Sequence, residues 1–578
     1  MRNMSKFIRI DTSKSKARVE SVPSEYEFHG GRELTSSILL DEVDPKVDPL
    51  GEGNKLILAS GLLAGTPAPN FSRISAGAKS PLTGGIKEAN VGGSAGFLLG
   101  LLEIRAIIIE NQPETKDIFH HVIVEGDNIQ LEDASEERFL GNYELARKMI
   151  DAHGKGISMI SIGPAGARCM NMASIAVLDL QHHPSRHAGR GGLGAVMGSK
   201  GIKSIVLKRI KGTRLEYTNK DVFLEVSKKW SKHLKTTKAG FSKLGTAMTV
   251  GISQMLKGLP TKNFKKGTFD GADNIGGEAL HEMIVERGGK FGIPCLPGCA
   301  IQCSNLVKDA AGNQVTSSLE YETICLNGSN LMIDDLDTIA KIDGACDDIG
   351  IDTIEFGGMM GVLMEAGRYE FGDKDAPLEV LEEIREGTKD GVFYGSGVAA
   401  VGEALGVERV PAAKGQGFPA YDPRVYKGMG VTFCTTPMGA DHTAGAAIFK
   451  RPGLDPNHDY GDVSENKGKL RLSYELQVLI GALDMLGACY FIGPSRDTLE
   501  KVATLLNGRY GWQGTWEDLF DKARKMIGRE LLFNQGAGIT SQDNDIPAFF
   551  RQEPSEPTGL TWDMPREDLA SFWTERLD

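Results

Sequence analysis

The chain has 578 residues, of which 40% are hydrophobic and 25% charged, and its formal net charge is −12. This composition is typical of a globular protein of about three to four domains, large enough to build its core without disulfides or metal sites. The acidic residues are spread along the chain, and the one basic stretch, at residues 200–211, is too short for a nucleic-acid-binding surface. We therefore expect no nucleic-acid partner.

The first residues and the apolar runs indicate where the protein is located. Residues 1–16 contain no apolar run of the kind that a secretory signal requires. The longest apolar stretches, at 95–102 and 106–109, are separated by Glu103 and Arg105, and they are far shorter than the roughly 20 residues that span a bilayer. The sequence predicts a cytoplasmic protein with no membrane span. Its eight cysteines are then free thiols or metal ligands.

The N-terminal part of the chain has a strand-like sequence pattern and the rest has a helical one, which together predict an α+β fold. Short β-branched runs between glycine, proline and serine clusters predict strands at 7–10, 55–59, 106–109, 121–124, 158–162 and 204–207. Longer helical periodicity predicts helices at 221–234, 336–346, 378–389 and 476–486. We expect a β-rich domain over residues 1–208 and two mainly helical domains over 209–412 and 413–578. The proline-rich C-terminal segment is expected to be extended, and no internal repeat stands out.

Two glycine-rich loops in the β-rich domain are candidates for phosphate binding. One covers residues 79–93, follows Arg73 and contains Asn90 and Gly92, and the other begins with Arg186 and His187 and continues to residue 198. Backbone N–H groups of glycine-rich turns, with arginine nearby, suit phosphate oxygens. Tight turns between strands are the structural alternative. A dinucleotide-binding fingerprint at 192–194, and with it a nicotinamide dehydrogenase, is disfavoured because the preceding residues do not form a strand pattern.

Three of the eight cysteines lie within nine residues. Cys295, Cys299 and Cys303 are each separated by three residues, among prolines and a glycine that interrupt regular structure. Thiolates spaced in this way can bind three corners of an iron–sulfur cluster, with Cys489 as a candidate fourth ligand. Zinc and a set of buried thiols are the alternatives. The remaining cysteines are expected to pack in the core: Cys169, Cys325, Cys346 and Cys434.

A short hexapeptide motif occurs twice. Residues 347–352 have the form D-x-x-G-x-D, and residues 484–489 have the form D-x-x-G-x-C. Each follows a predicted helix, which its glycine can end with a positive φ, and the flanking carboxylates can accept hydrogen bonds from the N–H groups of a bound ring. A single copy is explained as a helix C-cap. Two copies, one ending in the candidate cluster ligand, indicate two similar ligands bound side by side.

Together these features resemble the tungsten-containing aldehyde ferredoxin oxidoreductase family over essentially the whole chain. Besides the two hexapeptides, the resemblance rests on KSPLTG at 79–84, NVGG at 90–93, IGPAG at 162–166, GRGGLGAVMGSK at 189–200, LPTKN at 259–263, EYET at 320–323 and GADH at 439–442. It implies that the β-rich domain forms a base under a tungsten bis-pterin cofactor, with two helical domains over it. Molybdenum is the alternative metal.

The resemblance also implies which residues bind the cofactors. The pterin rings would be held by Asp347, Gly350, Asp352, Asp484 and Ala488. The phosphates and a bridging Mg²⁺ would be held by Arg73, Asn90, Gly92, Arg186 and the backbone of His187. A [4Fe–4S] cluster would be held by Cys295, Cys299, Cys303 and Cys489. The chain departs from the family in having three rather than two residues between Cys295 and Cys299.

The implied reaction is the oxidation of an aldehyde to a carboxylic acid, with electrons passing through the cluster to ferredoxin or a ferredoxin-like iron–sulfur subunit. Glu320 would act as general base, and His442 would hydrogen-bond the substrate oxygen or exchange a proton. Glu322 is an alternative base rather than a partner of Glu320. The other functions considered are an aromatic acyl-CoA ring reductase of the same family and a non-catalytic iron–sulfur electron-transfer subunit. Assembly into an oligomer is compatible with each of these functions.

Overall fold

Two six-stranded sheets dominate the N-terminal part of the computed structural model, which describes residues 5–451, 454, 455 and 457–577. The strands of the first sheet are β1 (Lys6–Asp11), β2 (Lys16–Ser21), β3 (Leu56–Ser60), β4 (Ile74–Lys79), β5 (Ile86–Val91) and β6 (Ile104–Glu110). Those of the second are β7 (His120–Glu125), β8 (Asn128–Asp133), β9 (Ile157–Ser161), β10 (Ile175–Val177), β11 (Arg186–Ala188) and β12 (Ile202–Lys208). The helices between them are α1 (Gly31–Glu42), α2 (Ala95–Leu101), α3 (Asn142–His153), α4 (Pro164–Ala167) and α5 (Leu193–Ser199).

The two sheets are copies of one topology. The strand order β2-β1-β6-β3-β4-β5 of the first sheet corresponds strand by strand to β8-β7-β12-β9-β10-β11 of the second. The pairing β1–β6 is parallel, as is β7–β12, and the remaining pairs in both sheets are antiparallel. The expectation that the chain has no internal repeat is therefore wrong for the fold. The copies share their topology but no sequence pattern strong enough to reveal it.

The six strands predicted from β-branched runs are confirmed, and the other six strands of the two sheets are additions: β2, β4, β5, β8, β10 and β11. The expectation that no strand precedes residues 192–194 is wrong, because the three-residue strand β11 pairs there with β10. The predicted loop at 79–93 is a hairpin whose second strand, β5, carries Asn90. Its sequence, IKEANV, does not alternate between apolar and polar residues, although nearly all of it is buried. Lys87 is buried in an ion pair with Asp441 (2.9 Å), and this tertiary contact is invisible to a pattern based on hydrophobicity.

The rest of the chain is mainly helical, which confirms the predicted α+β class. Its helices are α6 (Lys220–Thr237), α7 (Ala239–Leu244), α8 (Thr249–Met255), α9 (Gly277–Glu286), α10 (Tyr321–Asn327), α11 (Leu336–Ile349), α12 (Thr353–Glu365), α13 (Ala376–Glu386), α14 (Lys389–Tyr394), α15 (Val398–Leu405), α16 (Lys427–Thr435), α17 (Lys469–Asp484), α18 (Arg496–Tyr510), α19 (Trp516–Gly536), α20 (Ala548–Gln552) and α21 (Arg566–Ala570). The predicted helix at 378–389 is divided, because Gly387 adopts a left-handed conformation (φ +70°) and ends α13.

Small strands and long-range packing join the helices. A three-stranded sheet contains β13 (Lys290–Ile293), β14 (Ser304–Lys308) and β15 (Gln314–Ser317), and a short hairpin contains β16 (Ala412–Ala413) and β17 (Gln416–Gly417). Helix α6 packs against α18, and α17 packs against α19. Helices α6 and α18 belong to different predicted helical domains, and they are in contact. The domain boundaries at 208 and 412 therefore stay predictions.

The C-terminal segment, expected to be extended, contains two short helices, α20 and α21, joined by irregular chain. It is anchored by buried aromatic residues: the ring of Trp562 packs against Gly430, and the Trp573 indole donates to the Thr435 carbonyl (2.6 Å). In the part of the chain that the structure describes, no helix is long and apolar enough to cross a membrane.

Candidate active site

A cavity of about 610 Å³ is lined by both sheets and by the helical part of the chain. It is lined by most of the residues that the sequence predicts for the site: Arg73, Asn90, Gly92, Arg186, His187, Cys295, Cys303, Glu320, Asp347, Asp352, His442, Asp484, Ala488 and Cys489. The two predicted residues outside the lining are Gly350, which forms a turn behind it, and Cys299, which is buried beside Asn70. Residues more than 400 positions apart in the chain thus face one space.

The first hexapeptide joins α11 to α12 and is held by the second sheet. Asp347 lies in the last turn of α11, Gly350 ends that helix with φ +77°, and Asp352 caps α12 by accepting from the Ile354 N–H (3.0 Å). The Gly350 carbonyl accepts from the Ser174 N–H (2.9 Å). This backbone bond fixes the turn, so both aspartates are placed by rigid elements.

The second hexapeptide is held by the first sheet in the corresponding way. Asp484 is the last residue of α17, and Gly487 has φ +69°. The Gly487 carbonyl accepts from the Arg73 N–H (3.0 Å), just as the Gly350 carbonyl accepts from Ser174 in the other half. The positive φ that the sequence predicts for both glycines is confirmed; Gly350 is the C-cap of α11, whereas the C-cap of α17 is Met485, two residues before Gly487. Each copy of the duplicated sheet therefore holds one hexapeptide.

Close backbone approach makes a glycine necessary under each hexapeptide. A Cβ atom on Gly61 would lie 2.1 Å from the Leu486 carbonyl oxygen, and one on Gly163 would lie 2.1 Å from that of Ile349. Real side chains do not tolerate such distances, so these two glycines set how closely each hexapeptide approaches its sheet. Sequence analysis noted the motif around Gly163 but assigned it no role.

The aspartates of the first hexapeptide have basic partners. His187 Nε2 lies 3.1 Å from Asp347 Oδ1, so its side chain contributes where the resemblance implied only a backbone role. Arg190 Nε lies 3.1 Å from Asp352 Oδ2 and donates through its other nitrogens to the Ala440 and Gly417 carbonyls. Arg190 lies within the glycine-rich motif at 189–200 and was not among the predicted site residues. It links the hexapeptide to the segment that carries His442.

A second buried carboxyl group accompanies the first aspartate of each hexapeptide. Burial and the neighbouring Glu88 raise the pKa of Asp484 well above its usual value, with Arg32 opposing (3.4 Å). Burial and Asp347 likewise raise the pKa of Asp343 well above its usual value. Neither Glu88 nor Asp343 was predicted, although Asp343 precedes Asp347 by one helical turn and that spacing was visible.

Arg73 lies between the second hexapeptide and the cysteines. Its guanidinium donates to the side chain and to the carbonyl of Asn90 (2.9 Å to the carbonyl). A Cβ atom on Gly92 would lie 3.5 Å from Arg73 Nη1 and 3.6 Å from Cys295 Sγ, so the glycine leaves both groups close to the cavity. The Arg73 charge also opposes the rise in the pKa of Asp484 that burial causes.

Arg186 is the buried cation of the second glycine-rich loop. It donates to the hydroxyl groups of Ser304 (3.0 Å) and Ser317 (3.4 Å), and its Nε has no partner in the described structure. Burial acts to lower its pKa, but the nearby Cys295 and Asp179 raise it above the ordinary value. Arg186 is thus a permanent positive charge with a free donor.

The four predicted cluster cysteines are buried, and Asn70 connects them. Its side chain donates to Cys299 Sγ (3.4 Å), and its backbone carbonyl accepts from the Cys489 N–H (2.9 Å). A hydrogen bond with Cys299 and then burial raise the pKa of Cys295, and burial raises that of Cys489 to about 11. Sequence analysis missed Asn70, whose left-handed φ of +65° lets one residue contact both cysteine segments.

The cysteines do not form a closed site for a single ion. Among the described residues, no group of three or more His, Cys, Asp or Glu side chains is close enough to hold one metal ion.

Glu320 and Glu322 point to different parts of the cavity, because α10 begins between them. Glu320 accepts hydrogen bonds from the hydroxyl groups of Thr246 and Ser318. Its charge, after burial, raises the pKa of Cys303, so Glu320 lies on the cysteine side.

Glu322 is instead the partner of His442. Its Oε1 lies 3.6 Å from His442 Nε2, and its Oε2 accepts from the Ala420 N–H (2.7 Å). Burial raises the pKa of Glu322, with His442 opposing the rise. Sequence analysis kept Glu322 only as an alternative base. The structure pairs it with the predicted histidine.

Several buried polar atoms of the cavity wall have no partner in the described structure. The unpartnered donors are Asn90 Nδ2, Arg186 Nε and Arg451 Nε, and the acceptors are Glu88 Oε1 and Glu322 Oε1. Leaving such groups buried and unpaired costs about 1–3 kcal/mol each. The cavity is therefore suited to a polar ligand that accepts hydrogen bonds at one part of its wall and donates them at another, as a phosphorylated ring compound does.

Two family models cover nearly the whole chain. The model "aldehyde ferredoxin oxidoreductase, N-terminal domain" matches residues 7–209, and "aldehyde ferredoxin oxidoreductase, domains 2 & 3" matches residues 222–572. The chain belongs to the aldehyde ferredoxin oxidoreductase family.

Two relatives of this family member are named as tungsten-containing enzymes. It is 32% identical to the tungsten-containing aldehyde ferredoxin oxidoreductase of Pyrococcus furiosus, over 99% of this chain and 96% of that protein. It is also 32% identical to the enzyme of the same name from Thermococcus kodakarensis, with the same coverage. The chain is therefore an oxidoreductase of the tungsten-containing family, as the resemblance predicted.

One further relative and one solved structure of similar fold have other names. The WOR-like subunit of the aliphatic sulfonate oxidoreductase of Pyrococcus furiosus is 24% identical over 96% of this chain and 90% of that subunit. The solved structure of the active site complex BamBC of benzoyl coenzyme A reductase, in complex with 1,5 dienoyl-CoA, superimposes with a TM-score of 0.82. That superposition covers 99% of this chain and 94% of the other, at 16% identity. At that identity the likeness confirms the α+β fold alone.

Proposed function

We propose that the chain is a tungstopterin enzyme that oxidises aldehydes to carboxylic acids and passes the electrons through a [4Fe–4S] cluster to ferredoxin or an iron–sulfur partner subunit. The observation that carries this proposal is the shared cavity. It brings two hexapeptides, the cysteines and the Glu322–His442 pair to one space. This is the arrangement expected of a redox site in which ring binding, electron exit and proton transfer are adjacent.

The wall of the cavity fits a bis-pterin cofactor. Acceptors from both hexapeptides (Asp347, Asp352 and Asp484) suit pterin N–H groups, and the unpartnered donors of Asn90 and Arg186 suit phosphate oxygens with their bridging Mg²⁺. The duplicated sheets give one set of ring contacts per half, which matches two pterins. When bound, the tungsten would accept two electrons from the substrate, and molybdenum is the alternative metal.

The reaction converts an aldehyde and water into a carboxylic acid, two electrons and two protons. Glu322, whose pKa is raised and whose Oε1 accepts no hydrogen bond in the described structure, is suited to take a proton from water, and His442 to hold the carbonyl oxygen or pass the proton on. Glu320, the base that the resemblance implies, lies beside Cys303 and is the alternative general base. Variants of the two glutamates separate these roles.

Cys295, Cys299, Cys303 and Cys489 are the proposed cluster ligands. The resemblance supplies this ligand set, and the hydrogen bonds of Asn70 to both cysteine segments support it. Cys295 and Cys489 line the same cavity as Arg73 and Asp484, so the proposed path for electrons lies along one cavity wall.

A basic helix on the cysteine side suits an acidic electron acceptor. Residues 220–243 contain seven lysines and two acidic residues, in a chain whose net charge is −12. Lys228, Lys232 and Lys235 are exposed on one face of α6, here called the lysine face. The opposite face holds Trp230, whose ring packs edge-on against Phe71 (5.6 Å), the residue after Asn70. Complementary charge would steer an acidic iron–sulfur protein to this helix.

The test is aldehyde-dependent reduction of a viologen dye by anaerobically purified, tungsten-loaded protein. We expect turnover with simple aldehydes and none with an aromatic acyl-CoA. Dye-linked turnover of an aromatic acyl-CoA or its dienoyl product, without aldehyde oxidation, would instead assign the chain to the ring-reducing chemistry. Protein that contains iron but neither tungsten nor molybdenum, and that shows no turnover, would instead be a non-catalytic electron-transfer subunit.

A further inference from the structure

Two cations on the cavity wall have no acidic partner among the described residues. Lys238 is half-buried at the end of α6, and its ammonium group makes no hydrogen bond or ion pair within the described chain. Arg451 donates to the Tyr490 hydroxyl and, at 3.5 Å, to the Ala446 carbonyl, and its Nε is buried without a partner. Both side chains line the same cavity as Glu322 and His442.

No acidic residue of the wall forms an ion pair with Lys238 or Arg451 in the described structure. Five of them pair with other basic residues, as Glu322 does with His442, Asp352 with Arg190 and Asp441 with Lys87, whereas Glu88, Glu320 and Asp343 form no ion pair among the described residues. Lys238 and Arg451 line the same cavity, and both side chains are partly buried. Two neighbouring, partly desolvated positive charges are unfavourable until an anion binds between them.

Two tyrosines of the wall lie beside the proposed acid–base pair and beside the cations, one at each place. The ring of Tyr421 lies 6.2 Å from that of His442, and the guanidinium of Arg451 lies 5.2 Å from the centre of the Tyr490 ring. Burial and then Glu322 raise the pKa of Tyr421, and both Tyr421 and Tyr490 line the cavity. A ligand could therefore reach from His442 past the two rings to Arg451.

Apolar side chains complete this part of the wall, including Phe241, Ile252, Ile448, Phe449 and Phe491. Such a wall suits the carbon chain of a substrate, while a cation pair at one end suits an anionic oxygen group. The combination selects for a molecule with an aldehyde at one end and an anion at the other.

We propose that Lys238 and Arg451 form an anion-binding site that selects aldehydes carrying a carboxylate or phosphate group, with the carbonyl oriented toward Glu322 and His442. This inference rests on the proposed aldehyde oxidation and names the class of its substrate. A carboxylate and a phosphate both present anionic oxygens to the site, and the substrates chosen for the test distinguish between them.

The test compares matched charged and neutral aldehydes with viologen as electron acceptor. The pairs are succinic semialdehyde with butyraldehyde, for a carboxylate, and glyceraldehyde 3-phosphate with glyceraldehyde, for a phosphate. The wild-type enzyme should favour the charged member of at least one pair in kcat/KM. In Arg451→Gln that preference should fall by about tenfold or more, because a charge-assisted hydrogen bond is lost. Lys238→Gln, at a half-exposed site less prone to misfolding, should reduce it in the same direction.

Lys243→Gln is the matched control, because Lys243 is an exposed lysine of α7 that does not line the cavity. A second readout does not depend on turnover: calorimetric titration with succinate, the product of succinic semialdehyde, should show binding that Arg451→Gln weakens by about tenfold. Succinate binding without any aldehyde oxidation would support the anion site and refute the proposed function.

Two outcomes would overturn the inference and leave aldehyde oxidation standing. One is a wild-type enzyme that oxidises neutral aldehydes at least as well as charged ones and does not bind succinate. The other is an equal loss of activity on charged and neutral substrates in Arg451→Gln, accompanied by a shifted cluster potential. That second result would mean that the cations balance the charge of the cluster near Cys489.

Discussion

Replacing Glu322 with glutamine tests the proposed acid–base pair most sharply. The change keeps the shape of the side chain and its contact with the Ala420 N–H, but it removes the charge that lies 3.6 Å from His442. If the proton passes to His442 in the transition state, the two unit charges about 4 Å apart interact by about 4 kcal/mol at an effective dielectric constant of about 20, which corresponds to about three powers of ten in rate. General bases contribute about 10²–10⁴-fold. We therefore expect kcat to fall by about 10²–10³-fold.

The pH profile gives the same variant a second readout. Burial raises the pKa of Glu322, and a general base must be deprotonated to act. The acidic limb of the kcat/KM profile of the parent enzyme should therefore lie above the ordinary glutamate value of about 4.3, with activity lost as the pH falls through it. In Glu322→Gln this limb should disappear, while the tungsten and iron contents stay at the parental level.

Glu320→Gln is the matched control, because it makes the same change two residues away in a side chain that faces Cys303. We expect it to lose less activity than Glu322→Gln. The reasoning would be refuted if Glu320→Gln were the slower variant and Glu322→Gln turned over within about tenfold of the parent. The base implied by the resemblance would then be correct, and the Glu322–His442 pair would be structural.

Three further predictions concern the cluster, the cofactor and the partner. Asn70→Ala should lower iron content and the visible absorbance of the cluster without lowering pterin content, because it removes the bond to Cys299; equal iron in variant and parent would contradict this. Gly61→Ala should lower the melting temperature and the pterin released on denaturation, since overpacking costs about 1–3 kcal/mol, whereas Gly156→Ala, in open space, should do neither. Reversing the charge of the lysine face should lower ferredoxin reduction by about tenfold relative to viologen reduction and weaken its salt dependence; an unchanged ratio would exclude this face.

Local patterns predicted the elements and motifs whose signal lies within a few residues. The β-branched runs located β1, β3, β6, β7, β9 and β12 because their side chains are buried in sheet cores. The hexapeptide glycines were predicted to end helices, and both have positive φ. Most residues assigned to the site through the family resemblance line one cavity, although their individual roles stay predictions.

Features that depend on distant parts of the chain could not be predicted. Arg32 is held by Glu530 (2.8 Å), nearly 500 residues away, and no local pattern marks such a pair. Strand β5 was missed because its buried Lys87 and Glu88 are explained only by tertiary partners. The duplication was missed for a related reason, since it lies in strand pairing and in backbone contacts such as those under Gly61 and Gly163.

Metal content of anaerobically purified protein, measured by elemental mass spectrometry, tests the central claim most directly. The account predicts about one tungsten and about four iron atoms per chain, with iron lost and tungsten retained in Cys489→Ser. Iron without tungsten or molybdenum, in protein expressed with both metals supplied, would contradict the tungstopterin site. Neither iron nor tungsten in the purified protein would contradict the reading of the cysteines as well.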